Sequence, residues 1–143
     1  RESVDDARSI ADLFAGVGTF ALAVRASYAA EASRDSSSAL KRAGPSIAVE
    51  HRDLYRRPLD AAELNRFDAV VLDPPRAGAA EQVKALSASS VQRIVYVSCN
   101  PATFGRDART LVDGGYQLEW VRPVGQFRWS THVELAACFT RDA

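Results

Sequence analysis

At 143 residues, with 47% hydrophobic and 25% charged side chains, the chain is the size of one globular domain and leaves little room for a second. Lysine plus arginine equals aspartate plus glutamate at 18 each, so a domain that grips a polyanion unaided is not indicated. No apolar run reaches the roughly eighteen residues of a membrane-spanning helix, and the polar opening Arg1-Glu2-Ser3-Val4-Asp5-Asp6 lacks the apolar core of a secretory signal.

In chain order, short apolar strands alternate with helices. Ile10 to Phe14 reads as a strand that runs into the turn Ala15-Gly16-Val17-Gly18-Thr19, with a helix from Phe20 to Arg25. Tyr28 to Glu31 is a second strand, and Asp35 to Arg42 a helix stopped by Gly44-Pro45. Ile47 to Glu50 is strand-like. Phe67 to Leu72 is a strong buried strand ended by Asp73-Pro74-Pro75, and Ala79 to Ala88 a helix. Ile94 to Val97 is another buried strand, followed by Ser98-Cys99-Asn100-Pro101 and a helix from Thr103 to Val112 that Gly114-Gly115 stops. Tyr116 to Val121 and Val133 to Thr140 have no helix between them and read as a terminal antiparallel pair. The alternation predicts an α/β fold with a mostly parallel sheet over the single domain 1–143. Because the chain opens almost directly on its first core strand, it is expected to be the tail of a longer protein.

In such a sheet ligands bind beyond the carboxyl ends of the strands, and the unusual residues cluster there. Gly16 and Gly18 let the backbone turn tightly and approach a ligand. Glu31 stands at about the distance where an acid caps a ribose diol, or is a solvated charge. Asp53 offers an acceptor to an adenine amino group or caps a turn. The prolines of Asp73-Pro74-Pro75-Arg76 stiffen a strand end where a planar base has to be held, or make a rigid surface turn. Cys99 ends an apolar strand on the ligand side, where a thiolate can attack; a buried inert thiol is the alternative. Cys138, mid-strand, reads as inert. Two distant cysteines form no metal cluster, and a disulfide is not expected. Glu134 is a candidate general base or an exposed strand residue. His132 reads as structural or substrate-adjacent, since no second metal-type ligand is near.

Together, Asp12-Leu13-Phe14-Ala15-Gly16-Val17-Gly18-Thr19-Phe20, Asp73-Pro74-Pro75-Arg76, Ser98-Cys99-Asn100-Pro101 and His132-Val133-Glu134 resemble the RNA uracil-C5 methyltransferases, which modify tRNA and ribosomal RNA. The resemblance spans nearly the whole chain. It implies a Rossmann-like class I methyltransferase fold with a seven-stranded sheet and helices on both faces. It implies an S-adenosylmethionine site lined by Phe14, Thr19, Glu31, Asp53 and Asp73, with Cys99 as nucleophile and Glu134 as proton acceptor. It also implies a cytoplasmic enzyme whose partner, rRNA or tRNA, is bound mainly through regions this chain lacks, which accords with the even charge balance. The family often carries Cys where Ala15 stands, Asn where Thr19 stands, and an Asp where Gly125 stands.

Other readings differ at particular residues. An adenine-N6 methyltransferase usually places an aromatic after the two prolines, where this chain has Arg76. A cytosine-C5 enzyme carries its cysteine in a differently placed motif. A nicotinamide-binding turn uses GxGxxG, and here Ala21 takes the third glycine's place. A non-catalytic nucleotide-binding module would have no need of Cys99 and Glu134 together.

Overall fold

The computed structural model describes residues 9–16, 18–125 and 134–142. Val17, His132 and Val133, singled out above, lie outside the described residues, and nothing is said of the side chains of Thr19 and Phe20. The element order is β1 (Ile10–Leu13), α1 (Thr19–Ala23), β2 (Tyr28–Glu31), α2 (Arg34–Ala43), β3 (Ala48–His51), α3 (Ala61–Leu64), β4 (Ala69–Leu72), α4 (Ala80–Ser87), β5 (Arg93–Ser98), α5 (Pro101–Asp113), β6 (Gln117–Gly125) and β7 (Glu134–Thr140). One seven-stranded sheet runs β3-β2-β1-β4-β5-β7-β6. The first five strands pair in parallel, and β7 pairs antiparallel with both β5 and β6. The order reverses beside β1, which puts the switch point of the fold between β1 and β4, where open α/β sheets bind ligands.

Strand alternation sorts the interior into two cores. Ala11, Leu13, Tyr28, Ala30, Val70, Leu72, Ile94 and Tyr96 face the side covered by α3, α4 and α5, together with Leu64, Val83, Leu86 and Leu111. Ile10, Ala29, Ala69 and Val71 face the other side with Ala21 of α1 and Leu40 of α2. Helices thus cover both faces, as expected. The small residues of β1 and β2 let helices lie close, while Tyr96 and Phe139, both fully buried, each add about 1.5–3 kcal/mol of apolar burial.

Several boundaries move for identifiable reasons. Helix α5 begins at Pro101, not Thr103, because the Asn100 side chain accepts from the Ala102 N–H and Pro101 takes the first helical position. Strand β6 runs four residues past Val121, to Gly125. Its Pro123 is tolerated because β6 lies at the edge of the sheet, with register shifts between Leu118 and Trp120 and between Pro123 and Gly125. Helix α3 was not anticipated. It is a single turn held by a reciprocal capping box between Asp60 and Glu63, too short to show an apolar period. Helix α1 starts at Thr19 and stops at Ala23, because Arg25 takes a positive φ of 56°.

The loop from Asp73 to Ala79 is tied down from behind. Asp107 of α5, only 1% exposed, accepts from the Ala79 N–H at 2.8 Å and the Tyr96 hydroxyl at 2.5 Å, and Arg106 donates to it at 3.1 Å. Asn100 Nδ2 and Thr103 Oγ1 donate to the Arg76 carbonyl at 2.9 and 3.0 Å. The strand-end loop of β4 and the loop that carries Cys99 are therefore one hydrogen-bonded unit.

Candidate active site

A cavity of about 350 Å³ opens at the carboxyl ends of β1, β2, β3 and β4. Of the residues anticipated for a cofactor, Phe14, Gly16, Glu31, Asp53 and Asp73 line it, joined by Arg52, Tyr55, Pro74 and Pro75. Gly18 and Thr19 are not among its lining residues. Gly18 is buried beneath the turn, and Thr19 opens α1.

Phe14 carries the least common backbone state in the site, a φ of 66°. Alternation along β1 would put its ring on the α1 side with Asp12. The left-handed turn swings it to the opposite side, where it packs against the α3–α5 core and meets the Tyr55 ring at 5.5 Å between centroids. A bulky residue held with positive φ stores strain that the surroundings must impose. Here that strain builds an aromatic wall.

Tyr55 was missed by the sequence reading. Its signal was faint: an aromatic two residues beyond an acid in a loop. Its hydroxyl donates to the Gly78 carbonyl at 2.8 Å, which joins the cavity wall to the β4 loop. Arg52, also missed, donates to Glu63, Glu50 and the carbonyls of Arg57 and Pro58, so its charge is spent within the wall.

Glu31 receives the Gly16 N–H at 2.8 Å on one oxygen and the Ser33 N–H at 2.7 Å on the other, which clamps the glycine turn to the end of β2. Asp53 receives the Tyr55 N–H at 2.9 Å, the turn-capping geometry considered for it. Asp73 has its carboxyl pushed up to about 6, by burial first and then by the nearby Glu134 carboxylate.

The glycines differ in what they forbid. A Cβ on Gly16 meets nothing within 4 Å, whereas a Cβ on Gly18 would lie 2.2 Å from Leu40 Cδ1, and Leu40 is fully buried. Both have positive φ, 60° and 95°. Gly18→Ala is therefore expected to cost about 2–4 kcal/mol, from strain plus overpacking, and Gly16→Ala only about 1 kcal/mol. Urea unfolding of the two variants checks the difference, and equal losses would refute the packing argument.

Cys99 and Glu134 lie outside the cavity but at the same end of the sheet. The antiparallel register matches Ser98 with Leu135, so Cys99 and Glu134 are the next residues on the two paired strands. Both are half-buried. By alternation they share the α1 side with Asp12 and Asp73, and the field of Glu134 reaches Asp73. Cavity, thiol and carboxylate thus form a continuous row along one sheet end. Neither cysteine is in a disulfide, and Cys138 is buried mid-strand as expected. Among the described residues no His/Cys/Asp/Glu group is arranged to hold a metal ion, and no helix is long and apolar enough to cross a membrane.

The chain is 56% identical over 148 residues to an uncharacterized RNA methyltransferase of Zymomonas mobilis, covering 99% of this chain and 37% of that protein. It is 40% identical to the 23S rRNA (uracil(1939)-C(5))-methyltransferase RlmD of Alteromonas naphthalenivorans, covering 93% of this chain and 30% of that one. Its fold matches the crystal structure of Pyrococcus abyssi tRNA (uracil-54, C5)-methyltransferase in complex with S-adenosyl-L-homocysteine, with a TM-score of 0.77 and 29% identity over 92% of this chain and 34% of that one. The chain therefore spans about a third of the length of these relatives. The tRNA (Uracil-5-)-methyltransferase family matches residues 46–142, and with that match over most of its length the chain belongs to the tRNA (uracil-5-)-methyltransferase family.

Proposed function

We propose that this chain is the catalytic domain of an S-adenosylmethionine-dependent enzyme that methylates C5 of a uracil in rRNA or tRNA. The observation that carries the reading is the position of Cys99 and Glu134 one residue beyond the Ser98–Leu135 match of β5 and β7, one step along the sheet from the acid-lined cavity. The residues present fit the cofactor. Phe14 and Tyr55 offer an apolar wall to the adenine, Glu31 and Asp53 offer acceptors to ribose and base, and Asp73 faces the remainder. When bound, S-adenosylmethionine supplies an electrophilic methyl group.

The chain's own residues supply what uracil lacks. C5 of uracil is a weak nucleophile. Addition of the Cys99 thiolate to C6 forms an Sγ–C6 bond and makes C5 enolate-like and nucleophilic. Once C5 is methylated, a Glu134 carboxylate oxygen takes the C5 proton. The electron pair of that C–H bond restores the C5=C6 double bond and expels Cys99 as thiolate. Both carbons must be reached from the side, so the base is flipped or unpaired. The rigid Pro74-Pro75 strand end, pinned through the Arg76 carbonyl to Asn100 and Thr103, holds the two halves of the site in register. The RNA is gripped mainly by regions outside this chain, in keeping with its even charge balance and its one-third share of its relatives. An RNA substrate of this kind places the enzyme in the cytoplasm.

The test uses RNA carrying 5-fluorouridine, with S-adenosylmethionine, and reads intact mass. Fluorine at C5 cannot leave as a proton, so the expected result is a protein–RNA adduct that also carries the transferred methyl group. No adduct, with this chain or with a longer form that holds RNA, would sink the uracil-C5 reading.

A further inference from the structure

Among the described residues, the buried side-chain atoms left without a hydrogen-bond partner are the two carboxylate oxygens of Asp12 and Nε of Arg141. An orphaned acid in a sheet core is costly and calls for a reason. The same fold satisfies a structural acid where it has one: Asp107, as deeply buried, receives Tyr96, Ala79 and Arg106. Asp12 is 0% exposed; the Ala21 backbone N–H acts on it, but among the described residues no side-chain donor reaches it.

Its position supplies the reason. The register sets Asp12 between Ala29 of β2 and Val71 of β4. Two residues further along those strands, on the same face, stand Glu31 and Asp73, both lining the cavity. The corresponding residue of β1 is Phe14, whose positive φ turns its ring to the other face. The next side chain down on that face, between the two acids, is Asp12. Among the described residues no cation offsets this group of acids. The charges acting on Asp12 are those of Asp73 and Glu31, and the charge acting on Asp73 is that of Glu134. Helix α1 (Thr-Phe-Ala-Leu-Ala) carries no charge. Arg25 beyond it and Arg34, Asp35, Lys41 and Arg42 of α2 are exposed, and Arg52 is engaged with Glu63 and Glu50.

We infer that Asp12, acting with Asp73, is a specificity-determining residue that makes the cavity select the positively charged S-adenosylmethionine over its neutral product S-adenosylhomocysteine, by giving up a proton when the sulfonium binds. The two ligands differ by one methyl group and one charge. Against a bare pair of coupled acids the charge decides: the cation stabilises the ionised pair, whereas the thioether leaves the proton in place and is held less tightly. Burial, then Asp73, push the Asp12 carboxyl up to about 7, so the exchange falls near neutral pH. The consequence is a site that loads the methyl donor and sheds the spent one without moving a loop.

This inference rests on the cofactor proposed above, and the experiment separates the two. S-adenosylmethionine and S-adenosylhomocysteine are titrated into the chain by calorimetry between about pH 5.5 and 7, where the α-amino groups of both ligands keep their protons. Buffers of different ionisation enthalpy count the protons released. The expected result is a preference for S-adenosylmethionine that rises roughly tenfold over that interval, with proton release on its binding and little on binding of S-adenosylhomocysteine. In Asp12→Asn the preference becomes small and flat with pH, while affinity for S-adenosylhomocysteine holds within about twofold. Proton counting on the unaltered chain decides the matter even where the variant folds poorly. Binding of both ligands with a pH-independent ratio and equal proton exchange overturns the inference and leaves the cofactor reading standing. Binding of neither ligand overturns both.

Discussion

Cys99→Ala is expected to lower methyl transfer by roughly 10⁴-fold or more, the scale of losing a covalent nucleophile, and to abolish the adduct with 5-fluorouridine RNA. Glu134→Gln is expected to do nearly the opposite to the adduct. Thiolate addition at C6 needs only Cys99, and methylation of C5 needs only the activated ring. Elimination needs the C5 proton to leave, and that proton goes to Glu134. With glutamine there, RNA containing ordinary uridine accumulates as a methylated adduct, while turnover falls by about 10²–10⁴-fold. The geometry behind this contrast is the adjacency of the two residues on paired strands, following the match of Ser98 with Leu135. Denaturing gel shifts of labelled RNA read both variants. An adduct that persists in Cys99→Ala would remove Cys99 from the role, and loss of the adduct in Glu134→Gln would place Glu134 before methylation instead of after it.

The second large effect is on stability. The Asp12 carboxyl is raised to about 7 by burial first and by Asp73 next, so the folded chain holds a proton that the unfolded chain releases near the ordinary aspartate value. The contribution to stability is therefore fully present below about pH 4 and is lost as pH rises from there through about 7. At pH 8 the parent carries a buried charge that has no counter-ion among the described residues. Asp12→Asn keeps the shape and carries none. Relative to the parent, the variant is expected to gain about 2–4 kcal/mol between pH 5 and pH 8, a shift of about three pKa units discounted for its coupling to Asp73. Urea unfolding at the two pH values measures it. An advantage that does not change with pH would mean that Asp12 does not take up a proton on folding. Together with the cofactor titration this makes Asp12 a trade of stability against function: an acid that weakens the empty fold at neutral pH because it is reserved for a cation.

Much of this was legible in the chain itself. Apolar runs four to six residues long, punctuated by Gly16, Asp73-Pro74-Pro75 and Asn100-Pro101, specify strands that end abruptly, and the residues at those ends carry the chemistry. That local punctuation placed the strands, six of the seven with both ends to within a residue or two, and the rank of residues along the carboxyl edge of the sheet. Helix α3 and the far half of β6 were not legible. A four-residue helix has no period to detect, and Pro123 argues against a strand until β6 is known to lie at an edge.

Three features belong to the tertiary structure alone. Strand order puts β1 between β2 and β4, and only then do Glu31 and Asp73 flank Asp12. The reversed φ of Phe14 carries its ring to the opposite face and against Tyr55, which no alternation rule anticipates. The antiparallel register of β7 on β5 brings Glu134 beside Cys99 across 34 intervening residues. The division has one physical reason. Period, turn chemistry and capping act over a few residues and are written locally, whereas pairing, burial and the field of one acid on another depend on which strands become neighbours, and that is settled only when the whole sheet closes over its two cores.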